Sequence, residues 1–142
     1  MEEQNYKNHS RMVPGYHYLV FALELLLFIG AIVNLVKTSS ENLYSSSLLV
    51  LTAFILFFIT FYARLFALRA QDRAIKAEEN FRHYLLAGKQ MNSQLKMRQI
   101  IGLRFASDDE YLALAEKAVK ENMSEKEIKM SIENWKADTY RV

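Results

Sequence analysis

The chain has 142 residues, no cysteine and a formal net charge of +2. That length holds one modest unit rather than several domains, and the missing thiols exclude disulfides and thiolate metal sites. So weak a positive balance makes no electrostatic case for a nucleic-acid partner.

The averages conceal a segregation. The composition is 51% hydrophobic and 24% charged, with a mean hydropathy of -0.05. Yet Tyr16 to Leu68 is mostly apolar, and Arg69 to Val142 reads like a water-soluble helical protein. Such a split implies two solvents, because the apolar half has too few polar groups to cover a surface facing water. One proline, four glycines and no sustained period-two alternation predict an all-α chain.

Residues 1–15 form an N-terminal segment ending in Pro14-Gly15. The first apolar run, 16–36, carries Glu24 and Asn34 within it; at 1.5 Å per residue it is roughly 30 Å long, the thickness of a hydrocarbon core. Residues 37–42 are a short polar connector, and 43–87 read as one helix without Gly or Pro. The apolar part of that helix, Leu43 to Leu68, contains Thr52, Thr60 and Arg64. So short a connector predicts two antiparallel transmembrane helices, the second running on past the membrane. A cleaved signal peptide is disfavoured: Glu2 and Glu3 lie in a long leader, no small-x-small site follows Val36, and a second span comes at once. Lys7 and Arg11 precede the spans and Arg64, Arg69, Arg73 and Lys76 follow, against Lys37 alone in the connector. That asymmetry predicts cytoplasmic ends and an outside connector.

Along the second helix Ala53, Thr60, Ala63, Ala67, Ala70, Ala74 and Ala77 fall on alternating three- and four-residue steps, with Leu56 completing the series and Phe81 and Tyr84 extending it. Such steps trace one stripe, and small side chains let helices approach closely where lipid removes the hydrophobic drive. The bland alternative is alanine's helix propensity. The stripe is expected to pack on the first span inside the membrane, and beyond it on the chain's own tail or a second copy. Asp72 with Lys76 and Glu78 with Arg82 are expected as pairs off the stripe.

Glu24 lies roughly 12 Å inside the first span, where an unpaired carboxylate is costly. His17, Glu24 and Ala31 are seven apart, with Asn34 three further on. Closing the hairpin through the connector brings Glu24 level with about Phe57 to Thr60. Glu24, protonated, is expected to meet Thr60, with Arg64 the second choice. Its role is either contact between helices or, in an oligomer, a proton or cation path.

Residues 88–142 are a cytoplasmic helical tail. Gly88 caps the long helix, and short helices are expected at about 94–105, 108–121 and 125–138. Ser107 with Glu110 and Ser124 with Glu127 are capping boxes. Tyr111, Leu114, Ile128, Ile132 and Trp135 are the expected tail core, with Trp135 at its centre. Ile100, Ile101 and Phe105 beside Arg98 and Arg104 offer an alternative contact with lipid headgroups. Ala118, Asn122 and Ile128 loosely follow helix-turn-helix spacing. However, Glu125, Glu127, Glu133 and Asp138 cancel Lys126, Lys129, Lys136 and Arg141, so no basic reading face emerges. His9, His17 and His83 are far apart, and neither a metal, a cofactor nor a catalytic constellation is indicated.

Several motifs together carry a resemblance. Glu3 to His9 (Glu-Gln-Asn-Tyr-Lys-Asn-His) is followed by Ala63-Arg64 with Phe66-Ala67-Leu68, and by Gln71-Asp72-Arg73-Ala74. Arg98-Gln99-Ile100-Ile101, Leu103-Arg104-Phe105-Ala106 and Asn134-Trp135-Lys136-Ala137-Asp138 complete the set. Over nearly its whole length the chain resembles a family of small bacterial membrane proteins of unknown function. The resemblance implies a two-pass inner-membrane protein and transfers no activity. The residues themselves favour a non-enzymatic assembly or scaffold subunit bound to lipid and to a membrane partner or its own copies. The alternatives are an oligomeric path built on Glu24 and a membrane-tethered DNA binder.

Overall fold

The computed structural model describes residues 4–10 and 12–138. Glu2, Glu3, Arg11 and Arg141, used above for the leader, the charge asymmetry and the last helix, lie outside them. The described residues are all-α, with no strand and one isolated bridge between Ala106 and Trp135. They fall into two compact units, residues 12–67 and residues 68–138 with 4–10.

The first unit is a helical hairpin. A π-helical turn, Gly15–Val20, leads into α1, Phe21–Lys37. Thr38 ends α1 in an extended conformation, and a 3-10 turn, Ser40–Asn42, starts α2, Leu43–Ala87. The antiparallel pairing is read from its bonds: Asn34 reaches Ser46 near the connector, while Glu24 and Tyr16 reach Thr60 further away. Small residues make the contact, since Ala31, Ser46 and Ala53 are buried. Large ones face outward, with Leu26 at 66% and Ile59 at 58% exposure. Gly15–Lys37 and Ser40–Ala87 are both long and apolar enough to cross a membrane.

The second unit packs α3 (Met97–Leu103), α4 (Asp108–Lys120) and α5 (Glu125–Ser131) with the latter part of α2 and residues 4–10. Phe105, Tyr111, Ile100, Leu103 and Ile128 are its fully buried large side chains. Gly88, at a positive φ of 66°, follows α2, and its N–H bonds the Tyr84 carbonyl. Asn122, at φ 48°, ends α4 in a Schellman turn: its N–H reaches the Val119 carbonyl and the Met123 N–H reaches that of Ala118.

Two helices are shorter than the sequence suggests. The helix expected over 94–105 is Met97–Leu103, because the Gln99 side chain takes the Lys96 N–H at 2.8 Å and starts the helix there. The helix expected over 125–138 stops at Ser131. Glu110 captures the N–H groups of Glu133 and Asn134 at 3.0 and 3.1 Å, and Lys136 donates to the Phe105 carbonyl at 2.7 Å. These bonds hold the chain beside Phe105 on a non-helical path. Trp135 consequently lies partly buried at the edge of the core, and Phe105 takes the centre assigned to it. Tyr111, Leu114, Ile128 and Ile132 are buried.

Gly102 is set by close packing. A Cβ there would stand 3.1 Å from Ile128 Cγ2 and 3.3 Å from the Glu125 carbonyl oxygen, so only glycine lets α3 lie this close to α5.

Candidate functional site

Within the hairpin the polar residues form two clusters. At one, Asn34 donates to Ser46 Oγ at 2.9 Å, and Ser46 donates to Thr38 Oγ1 at 3.0 Å. At the other, Thr60 Oγ1 donates to Glu24 Oε1, and the Tyr16 hydroxyl donates to the Thr60 carbonyl at 2.8 Å. Arg64 lies over the Tyr16 ring, 5.8 Å from its centroid. Glu24 Oε2 is buried and has no hydrogen-bond partner among the described residues. It borders a groove of about 490 Å³ whose walls include Phe21, Phe28, Phe54 and Phe57. The groove is apolar apart from this one carboxyl.

The small-residue stripe divides. Ala53 is 4% exposed and Thr60 partly buried. Ala67 is partly buried, whereas Ala63, Ala70, Ala74 and Ala77 are exposed. In the second unit α2 gives the tail a different face: Ile75, Glu79 and His83 are buried and Arg82 is partly buried. Phe81, Tyr84 and Leu85 stay open at 64%, 54% and 67%.

That buried face carries a polar network. Arg82 reaches Asp108 at 2.7 Å, Glu79 at 3.3 Å and the Ala106 carbonyl at 2.7 Å. Its guanidinium lies 4.4 Å from the centroid of the Tyr111 ring. Among the described residues the expected pair of Glu78 with Arg82 does not form, because Arg82 turns toward the tail, and Asp72 with Lys76 does not form either. Burial pushes the Glu79 carboxyl above its ordinary range, opposed by Arg82. The hydrogen bond from Arg82 holds Asp108 below its own. Burial raises the Tyr111 phenol, which donates to the Glu79 carbonyl at 3.3 Å. His83 donates from Nδ1 to the Lys89 carbonyl at 3.0 Å. Each group is engaged in holding elements together.

Residues 4–10 also belong to this unit. Gln4 exchanges hydrogen bonds with the Asp138 backbone, accepting its N–H at 2.7 Å. His9 donates from Nδ1 to the Tyr6 carbonyl at 2.7 Å, which leaves Nε2 to accept from Lys129 at 3.2 Å. Its ring also meets Phe105 and Trp135.

Sequence reading missed the long-range roles of three residues. Gln99, 3% exposed, donates to the carbonyls of Ala118 and Met123 at 3.1 and 2.9 Å. Glu110 holds the segment after α5, and Gly102 sets a helix crossing. Lys96-x-x-Gln99 was the one readable signal, as the end of a capping pattern. Ile100, Ile101 and Phe105 are buried in the bundle and therefore do not lie against lipid headgroups. Ala118 and Ile128 are core residues and Asn122 is the turn between them. No group of three or more His, Cys, Asp or Glu side chains able to hold a metal occurs among the described residues.

The fold and its polar clusters define an apolar two-helix hairpin combined with a small helical bundle. The chain belongs to a family of unknown function, DUF6526, whose model matches residues 1–142. No curated protein and no solved structure matches it.

Proposed function

We propose that this chain is a two-pass protein of the bacterial inner membrane, with both ends in the cytoplasm, that acts as a non-enzymatic assembly subunit. The exposed aliphatic and aromatic surface of residues 16–68 supports insertion into lipid, since water would not tolerate so large an apolar area. The bonds of Gln4 to Asp138 and of His9 to Lys129 support a shared side for the two ends. They join the segment before the first span to the tail after the second, and the Lys and Arg asymmetry makes that side cytoplasmic.

The assembly role rests on one observation. The tail covers Ile75, Glu79, Arg82 and His83 of α2 and leaves Ala70, Ala74, Ala77, Phe81 and Tyr84 open. A helix that binds its own tail on one face and offers an apolar face on another is built to join two bodies. The test is affinity isolation from native membranes in mild detergent, with sizing and mass spectrometry. A stoichiometric partner or a defined oligomer is expected, diminished by Ala74→Glu with Ala77→Glu, which put charge on the open face. A lone monomer, unchanged by those substitutions, overturns the reading.

A second reading has its own observation. The unpartnered Glu24 Oε2 beside an apolar groove suits a carboxyl lining a proton or cation path. Two spans enclose no channel, so such a path needs several copies. Proton flux in reconstituted liposomes, abolished by Glu24→Gln, is expected on this reading; flux indifferent to that change removes it.

A further inference from the structure

We infer that the partner of the open α2 face is the same face of a second copy, the two helices lying parallel and in register. The inference rests on the membrane-assembly reading above and deepens it by naming the occupant.

Three observations converge. The first is the division of the helix surface. With Ala74 and Phe81 at position a of a heptad and Ala70, Ala77 and Tyr84 at position d, the buried residues Ile75, Glu79 and His83, with Arg82, fall at b, f and c. The chain's own bundle thus covers outer positions on one side of a coiled coil and leaves its seam bare.

The second is the size of what is bare. Phe81, Tyr84 and Leu85 lie beyond the lipid-length part of α2, and each is more than half exposed. Large apolar side chains grouped in this way in water mark a contact surface. The alanines before them allow two backbones to come close.

The third observation identifies the occupant. Arg73 is at position g and Glu78 at position e, five residues on. Across a parallel two-stranded coil, g of one helix faces e of the next heptad on its partner. Arg73 of each copy then meets Glu78 of the other, twice over by the two-fold axis. An antiparallel pair would instead set g against g and e against e, like charge on like. Among the described residues neither Arg73 nor Glu78 makes an ion pair within its own chain. Copies inserted with one topology already present α2 in the same direction, which is the arrangement that the charges select.

The missing cysteine makes the test clean, because a single introduced thiol reports only its own position. Position d residues of a parallel coil lie within the ~4.4–6.8 Å Cα separation that a disulfide spans. Full-length Ala77→Cys and Tyr84→Cys proteins, oxidised in native membranes, are expected to give covalent dimers. Lys76→Cys, exposed at the outer position c, is expected to stay monomeric. Arg73→Glu should weaken the dimer roughly tenfold, since two attractions become two repulsions, and Arg73→Glu combined with Glu78→Arg should restore it. Equal cross-linking at 76 and 77 would mean random collision and would overturn the inference. So would absence of dimer at every position. If the protein then still carries a different membrane partner that Ala74→Glu releases, the assembly role stands and this inference alone falls; a bare monomer removes both.

Discussion

In residues 12–67 small side chains are inside and large ones outside, whereas in the bundle the order is reversed. Ala31, Ser46 and Ala53 fill the hairpin contact while Leu26 and Ile59 face outward. Phe105, Tyr111 and Ile128 fill the bundle core while most charged residues face outward. On the proposed membrane reading, one physical chemistry produces both. Where water surrounds a protein, burying a large apolar group lowers the free energy; where lipid does, burial gains nothing, and close backbone approach and paired polar groups hold helices together.

The sharpest way to break that comparison is a matched pair of truncations. Phe105→Ala should cost about 3–5 kcal/mol and expose the bundle to protease, whereas Leu26→Ala, at 66% exposure, should leave the melting of purified protein unchanged. Equal effects would mean that both units bury apolar surface in one solvent. A smaller effect is expected from Gly102→Ala. The new methyl meets Ile128, which is wholly buried and has nowhere to move. Strain of about 1–3 kcal/mol then outweighs a propensity gain of about 1 kcal/mol, seen as a lower melting temperature. An unchanged or higher value would show that α3 and α5 are loosely packed.

The smallest effect sharpens the electrostatic side. Burial raises Glu79 above its ordinary value of 4.5, so the folded bundle holds that proton more tightly than the unfolded chain does. The stability this contributes is full below 4.5 and is lost as pH rises through the raised value. Glu79→Gln cannot titrate. Its melting temperature should therefore gain on that of the unaltered protein as pH rises from the acid side. Asp108 has the opposite sign but is present in both proteins and largely cancels. A difference independent of pH would place Glu79 in water.

Much of the hairpin was legible because its rules are local. A six-residue connector and a fixed rise per residue bring Glu24 level with Thr60, and the bond between them follows from that register. The small-residue stripe could be read from spacing, but its division could not. Which alanines meet α1 and which stay open depends on where the tail docks. The tail's errors have one cause. Nothing in Ser131 to Asp138 breaks a helix by itself; the break comes from Glu110, more than twenty residues earlier, whose carboxylate prefers those N–H groups. Gln99 and Gly102 likewise act on partners distant in sequence, as does Arg82, whose expected neighbour Glu78 loses to Glu79 and to Asp108 across the bundle. Capping motifs were readable because donor and acceptor sit three residues apart.

The clasp of residues 4–10 against Phe105, Lys129, Trp135 and Asp138 sets an order of events during synthesis. The first of these residues leave the ribosome more than a hundred peptide bonds before the surface they settle on exists. They wait through the making of both apolar helices before they can dock. A chain halted anywhere before Lys129 leaves His9 without its lysine, so the joined ends record that translation has reached the tail.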